Sequence, residues 1–383
     1  MDRPRTGMLL LRDRLEEDSM KTALIHDWLT GMRGGEKVLE SLCHMFPNAD
    51  IFTLVHIPGS VSQTIESHRI TTSPLQRFPR VRNIYRHLLP LMPWAIERFD
   101  LSGYDLILSS SHCVAKGVRV PKGVPHICYC HTPMRYIWDQ YDEYFGPQKT
   151  SFPLRMAMAM MRPPLKRWDV ATSNRVTHYI ANSENVLDRI RRFYGRSGDV
   201  VYPPVETGLY IPAPSSQSDY YLIVSAFAPY KRVDLAIDVF NKLKKPLMII
   251  GAGQDEQKLK SLAGPHIVFK GWTPTSELVK IYQSCKALIF PGEEDFGIVP
   301  VEAMSCGKPV IAFRKGGALE TVKEGVTGLL FDEQTVSSLS DAVIRSEATT
   351  FDPGTIRQWA TRFSKENFVE HMRESLKGQK LSL

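Results

Sequence analysis

The chain has 383 residues, of which 43% are hydrophobic and 23% charged, and it carries a net charge of +7. That length accommodates two ordinary domains, each with its own core, and the composition is that of a globular protein. No apolar run approaches the roughly 20 residues that a membrane-crossing helix needs, and no module combining basic residues with base-stacking aromatics points to nucleic acid.

Residues 1–19 mix Arg3, Arg5, Arg12 and Arg14 with Asp2, Asp13, Glu16, Glu17 and Asp18 and read as a polar, disordered extension. The apolar stretch Met8 to Leu11 is too short for the central region of a signal peptide. Met20 is therefore read as the start of the fold and as the natural initiator, which the intact mass of the native protein would test. Short apolar runs then predict strands at Thr22 to His26, Asp50 to Val55, Leu106 to Ser109, His126 to Cys130 and His178 to Ala181. After the first of these come Asp27-Trp28 and Gly31-Met32-Arg33-Gly34-Gly35-Glu36, ahead of a helix expected at Val38 to Met45. Glycines in that position let backbone N–H groups approach an anionic ligand.

Between Arg69 and Arg98 six arginines are interleaved with apolar residues and opposed only by Glu97. Phe152 to Trp168 adds Met156, Met158, Met160 and Met161 beside Arg155, Arg162, Lys166 and Arg167. Two readings stay open: a surface for anionic lipid headgroups, or ordinary amphipathic helices that cover a core. His131-Thr132-Pro133-Met134-Arg135-Tyr136-Ile137-Trp138-Asp139 follows a predicted strand and is dense in groups that bond to or stack on sugars. Tyr202-Pro203-Pro204-Val205 and Ile211 to Ser218 form the best candidate linker.

Beyond it, strands are predicted at Tyr221 to Ser225, Leu247 to Ile250, His266 to Phe269, Ala287 to Phe290, Pro309 to Ala312 and Gly328 to Phe331. Strands alternating with helical segments imply α/β architecture with parallel sheets. Gly251-Ala252-Gly253 invites a dinucleotide-binding reading, but the third glycine of that fingerprint falls on Glu256. The six cysteines show no repeated spacing and suit free thiols in a reducing cytosol. His126, Cys128 and Cys130 share a strand face, but without a second ligand pair they argue little for zinc.

The most informative segment is Glu293 to Gly307, in which Glu294 and Glu302 are separated by seven residues around a strand-to-helix turn. Ionised carboxylates only accept hydrogen bonds, so a pair of them there suits a ligand rich in hydroxyls. Read alone, the segment also fits an acidic loop capping a helix or a glycosidase acid and nucleophile. The E-x(7)-E spacing with its internal Phe296-Gly297, followed by Ala303-Met304-Ser305-Cys306-Gly307-Lys308-Pro309-Val310-Ile311, resembles the retaining glycosyltransferase family 4. Ile180-Ala181-Asn182-Ser183, Gly271-Trp272 and Gly316-Gly317 extend the likeness over nearly everything from Met20 onward.

The resemblance implies a GT-B fold, two Rossmann-like domains facing across a cleft. Residues 20–205 would be the acceptor-binding domain and 206–350 the nucleotide-sugar domain, with a helix at 355–376 packing back on the first. It implies that Glu302 holds the donor ribose, that Glu294, Phe296, Gly297 and Ile298 contact the sugar, and that Lys231 binds the diphosphate. The family's diphosphate arginine falls on Ala226. Arg232 either supplies that charge by another route or is a solvated helix residue. Gly34 and Gly35 would meet the donor from the other domain, and His131 would contact the sugar at the reacting centre. His131, Lys231 and Glu294 thus form the expected catalytic set, while Asp27, Trp28, Arg135, Tyr136, Trp138 and Asp139 are expected at the acceptor.

No catalytic metal or other cofactor is expected. The subgroup carrying His-Thr-Pro-Met-Arg-Tyr-Ile-Trp-Asp and Pro-Tyr-Lys-Arg-Val-Asp is similar to bacterial enzymes that use GDP-mannose to build surface polysaccharide. This implies mannose transfer to a lipid-linked acceptor, at the inner face of the cytoplasmic membrane. A UDP-sugar donor, or a non-catalytic sugar-nucleotide-binding protein, remains the alternative.

Overall fold

A computed structural model describes residues 20–146, 151–213 and 218–379; the expected extension at 1–19 lies outside them. The apolar runs fold as parallel strands because most are buried on both faces and must satisfy their backbone in a ladder, whereas the edge strand at Ile267–Gly271 turns Val268 and Lys270 outward. The first sheet contains β1 (Thr22–His26), β2 (Asp50–Thr53), β3 (Ile70–Thr72), β4 (Leu106–Ser111), β5 (His126–Cys130), β6 (His178–Ala181) and β7 (Gly198–Val200). Its order is β3-β2-β1-β4-β5-β6-β7. The second contains β8 (Tyr221–Val224), β9 (Leu247–Ile250), β10 (Ile267–Gly271), β11 (Leu288–Phe290), β12 (Val310–Phe313) and β13 (Gly328–Phe331), in the order β10-β9-β8-β11-β12-β13. Both are doubly wound, with the strand order reversing beside β1 and beside β8; ligands of such sheets bind at the carboxyl ends of the strands there.

The principal helices are α1 (Gly34–Met45), α2 (Phe152–Ser173), α3 (Glu184–Tyr194), α4 (Val233–Leu243), α5 (Ile298–Ser305), α6 (Val336–Glu347), α7 (Pro353–Ala360) and α8 (Lys365–Gly378). Along β1 the side chains alternate between two cores, Ala23 and Ile25 into one and Leu24 into the other. Around β8 to β13, Ile223, Ile249, Ile289 and Ile311 pack with Val239 and Phe240 of α4.

The chain divides into two units. One runs to Pro203 and takes up the chain again from Phe368; the other is Pro204–Asn367. The expected boundary at 350 is therefore corrected to 367, and the single helix expected at 355–376 is two. Residues Thr361–Phe363 form a 3-10 turn and Ser364 is extended, where Val205 N–H donates to the Phe363 carbonyl at 3.0 Å. That bond takes a carbonyl out of any continuous helix. The earlier helix, α7, stays in the second unit, with Arg357 donating to the Tyr210 and Ser305 carbonyls at 2.8 Å. The later one, α8, places Phe368, Met372 and Leu376, spaced by four, in the core with Leu24 and Tyr129.

The basic stretch before Arg98 forms short helices, Val81–Ile84, Tyr85–Leu91 and Met92–Ile96, rather than one amphipathic rod. They bury Val81, Tyr85, Leu89 and Met92 and expose Leu91 and Trp94. Similarly α2 buries Met158 and Leu165 yet exposes Phe152, Met156 and Met160.

Candidate functional site

In the first unit the carboxyl edge of β1, β4 and β5 is lined by polar side chains. His26 ends β1 and lies opposite Ser110 of β4 in register. The Ser110 hydroxyl is 3.1 Å from His26 Nδ1 and 2.7 Å from Nε2 of His131, the residue that follows β5. Gly34 and Gly35 are the first residues of α1 rather than part of a loop before it. A Cβ on Gly35 would sit 3.5 Å from the His26 ring and 3.7 Å from His131 Nε2, so the helix start closes directly over both imidazoles. Burial, with His112, His26 and Arg135 nearby, holds His131 well below the usual imidazole range, so it is neutral at pH 7.

Asp27, expected at the acceptor, is corrected to a structural role. Its Oδ2 accepts the N–H groups of His112 and Cys113 at 2.7 and 2.9 Å, and its Oδ1 those of Val114 and Ala115 at 2.7 and 2.8 Å. The carboxylate is wholly buried and folds the loop after β4 around itself, leaving little capacity for a ligand. Trp28 stands edge-on to His112, with ring centroids 4.5 Å apart, and 5.3 Å from Tyr85.

The acceptor set after β5 also divides. Tyr136 donates its hydroxyl to buried Cys113 at 2.5 Å. Trp138 donates Nε1 to Asp169 at 2.8 Å and stacks on Phe193. The polar atoms of both are thus taken up within the protein. Asp139 accepts from Arg189 at 2.7 Å and is exposed, while Arg135 is half-buried and adds its positive charge to the imidazole group.

The second unit builds its edge differently. Lys231 closes a 3-10 turn, Pro229–Lys231, after β8, and its ammonium pairs with Glu294 in the loop after β11. These loops touch because glycines remove what would separate them. A Cβ on Gly292 would lie 2.8 Å from Lys231 Cα and from the Tyr230 carbonyl oxygen. Any Cβ on Gly316 or Gly317 would overlap the backbone of Glu294 and Phe296, and Gly317 N–H donates to the Glu294 carbonyl at 2.8 Å. Phe296 is buried edge-on to Phe363, with centroids 5.4 Å apart. Gly297, at φ +90°, is the N-cap of α5 and makes no side-chain cap; the N–H groups of Ile298 and Val299 therefore open the helix with its positive dipole end.

Glu302 lies one turn further and is buried, accepting from the Tyr282 hydroxyl at 2.9 Å. Burial and that carboxylate push the Tyr282 phenol up, and the Tyr210 phenol likewise. Arg232, at φ +53°, is directed to Asp234 and Gln334, both at 3.3 Å. That does not place it as a replacement for the arginine missing at Ala226, which is exposed. Gly251 and Gly253 admit the backbone of Ser225 and Phe227 where any Cβ would collide, which accounts for this glycine pair without a dinucleotide. Trp272, just past β10, is 82% exposed.

Sequence reasoning passed over Glu36, Ser110 and His112 as functional candidates. The signal was Ser109-Ser110-Ser111-His112, a polar run closing a strand that is otherwise apolar and fully buried.

The family described as Glycosyltransferase Family 4 matches residues 32–209, and that described as Glycosyl transferases group 1 matches 211–350. The chain belongs to the group 1 glycosyltransferases. An uncharacterised glycosyltransferase of Methanocaldococcus jannaschii is 31% identical over 179 residues, 44% of this chain and 47% of that protein. The GDP-mannose-dependent alpha-(1-6)-phosphatidylinositol monomannoside mannosyltransferase of Mycolicibacterium smegmatis is 30% identical over 170 residues, 37% of this chain and 44% of that protein. The chain spans about half the length of the curated relatives it matches. Anabaena HepE, solved with UDP, superposes at a TM-score of 0.69 with 19% identity, covering 94% of this chain and 100% of that one. The lipopolysaccharide outer core galactosyltransferase WaaB superposes at 0.68 with 17% identity over 94% and 100% of the two chains. These neighbours place the two sheets in the GT-B fold.

Proposed function

We propose that this glycosyltransferase transfers mannose from GDP-mannose, with retention and without a metal, to a lipid-linked saccharide in cell-surface glycan synthesis. The observation that carries the reading is the pairing of Lys231 with Glu294 at the uncapped start of α5, one turn before Glu302. Breaking the sugar–phosphate bond leaves negative charge on the departing diphosphate, and a fixed ammonium with helix N–H groups stabilises that charge. An arriving diphosphate competes with Glu294 for Lys231, which frees the Glu294 carboxylate to accept from sugar hydroxyls. Glu302 accepts from the Tyr282 hydroxyl and interacts with that of Tyr210, and a carboxylate with its several lone pairs can accept ribose hydroxyls as well. His131, neutral and beside the start of α1, serves the reacting sugar.

The choice of mannose and guanosine rests on the names of the mycobacterial relative and of human alpha-1,3/1,6-mannosyltransferase ALG2, 27% identical over 212 residues. A lipid-borne acceptor is supported by exposed Phe152, Met156 and Met160 on α2 beside Arg155, and by Trp94 under Arg98 at 4.5 Å. Among the described residues no helix is long and apolar enough to cross a membrane, and in this reading the protein docks on the inner face of the cytoplasmic membrane. Sedimentation with anionic but not neutral liposomes is the expected result.

Nucleotide release from a panel of GDP- and UDP-sugars, with acceptor lipid extract, tests the transfer. GDP release from GDP-mannose that is lost in Lys231→Ala and Glu302→Ala is expected. Release of UDP alone overturns the donor, and undiminished release in both variants overturns the site.

A further inference from the structure

The Ser110 hydroxyl sits between two imidazoles, and it has one proton to give. Whatever it does toward His26 therefore constrains His131. On the far side of His26, Nε2 is buried without a hydrogen-bond partner and faces Glu36 Oε1 at 3.9 Å. Glu36 is itself only 3% exposed, and its other oxygen accepts the Arg33 N–H at 3.0 Å. We propose that Glu36, acting through His26 and Ser110, decides which ring nitrogen of His131 carries the proton, so that Nδ1 is left as a hydrogen-bond acceptor.

The logic runs outward from the carboxylate. At 3.9 Å there is no full hydrogen bond, yet in a buried site a carboxylate strongly favours an N–H over a lone pair facing it. Burial alone would raise the Glu36 carboxyl, but the His26 ring and then His112 bring it below the usual carboxylate range, so it is ionised. Neutral His26 with its proton on Nε2 has its lone pair on Nδ1, and Ser110 donates there. The Ser110 oxygen is then left to accept, and His131 must present Nε2–H to it. His131 Nδ1 keeps its lone pair, suited to a sugar hydroxyl. If His26 takes a second proton the sequence reverses: both its nitrogens donate, Ser110 donates to His131 Nε2, and His131 becomes a donor through Nδ1.

Other titratable and charged groups facing these residues are His112, with ring centroid 6.0 Å from His26 and 6.3 Å from His131, its partner Asp27, and Arg135. None of these lies between the four linked groups Glu36, His26, Ser110 and His131. Glu36, His26 and Ser110 are positioning residues; the significance for transfer rests on the reading that His131 serves the sugar, while the tautomer itself does not.

Long-range proton–nitrogen NMR on the full chain labelled at histidine nitrogen, at pH 8, reads the tautomer directly, with His131→Gln assigning the resonance. Wild type should show His131 protonated on Nε2. In Glu36→Gln the new amide can keep its oxygen on Arg33 and turn its NH2 to His26 Nε2, which reverses every bond, so His131 should move its proton to Nδ1. Turnover should then fall about tenfold or more with KM little changed. Ser110→Ala removes the middle link without touching the carboxylate, and adding Glu36→Gln to it should no longer alter His131. Protonation on Nδ1 in wild type, or an unchanged tautomer in folded Glu36→Gln, overturns the proposal. Reversal with unchanged turnover upholds the relay and instead removes His131 from the sugar.

Discussion

The carboxyl edges of the two sheets solve one problem in opposite ways. The first positions its groups through buried side-chain hydrogen bonds, in which Asp27 gathers four backbone N–H groups and Ser110 joins two histidines. The second has a few, from Tyr282 to Glu302 and from Gln334 to the Pro291 carbonyl, but leans on close backbone contact. Its loops are held by backbone meeting backbone at Gly292, Gly316 and Gly317, and the charged groups ride on them. A side-chain network can be retuned by isosteric exchange and by pH, whereas a glycine contact is all or nothing.

The sharpest way to break this contrast is Gly317→Ala. Its backbone torsions suit any residue, so the whole effect comes from one methyl overlapping Phe296; a loss of roughly 3 kcal/mol or more is expected in chemical denaturation, with nucleotide binding abolished. Asp27→Ala should cost a comparable or slightly smaller amount, about 3 kcal/mol, because it strands buried N–H groups, and the loss should appear as early hydrogen exchange at residues 112–115.

The next test uses acid. His126 is buried, with Nε2 on Ser109 at 2.8 Å and Nδ1 on the Arg175 carbonyl at 3.2 Å, and burial pushes it down to about 4. An unfolded imidazole, with its ordinary value of about 6.5, binds the proton more readily. This contribution is therefore complete above that value and is lost as pH falls toward 4, on the order of 3 kcal/mol in all. In the second unit Glu347, which burial would raise, is brought to about 2 by Lys245, Lys286 and Tyr221, so its contribution is lost only below the ordinary carboxylate range. Hydrogen exchange at pH 5 should thus open the first unit before the second; simultaneous opening would erase the distinction. The smallest effect is expected from Arg232→Gly, where loss of two long contacts is offset by relief of a left-handed backbone, within about 1 kcal/mol.

Much of this was legible in the sequence. Strands buried on both faces announce themselves as apolar runs, and all eleven expected strands formed. The two that escaped, β3 and β7, are three-residue edge strands at the margins of the first sheet, with no apolar face to betray them. Around Glu294 and Glu302 the motif located a real strand-to-helix turn. It could not reveal that Glu294 holds Lys231, a pairing that depends on loops distant in sequence. The acceptor expectations were least legible, since Asp27, Tyr136 and Trp138 are polar or aromatic for reasons internal to the fold. Residue type shows that a group needs a partner, and only the structure shows that the partner is a backbone amide, a thiol or a buried aspartate.

The bridge between Val205 and Ser364 gives the second unit a property beyond packing. Its first and last segments are hydrogen-bonded to each other, so Pro204–Asn367 is one continuous passage of chain whose ends already meet. In genetic terms it is a cassette: excised with two cuts it keeps both ends tied. On the reading proposed above, a cassette expressed alone would still bind a sugar nucleotide through Lys231, Glu294 and Glu302, and titration with nucleotide would test that part of the reading by itself.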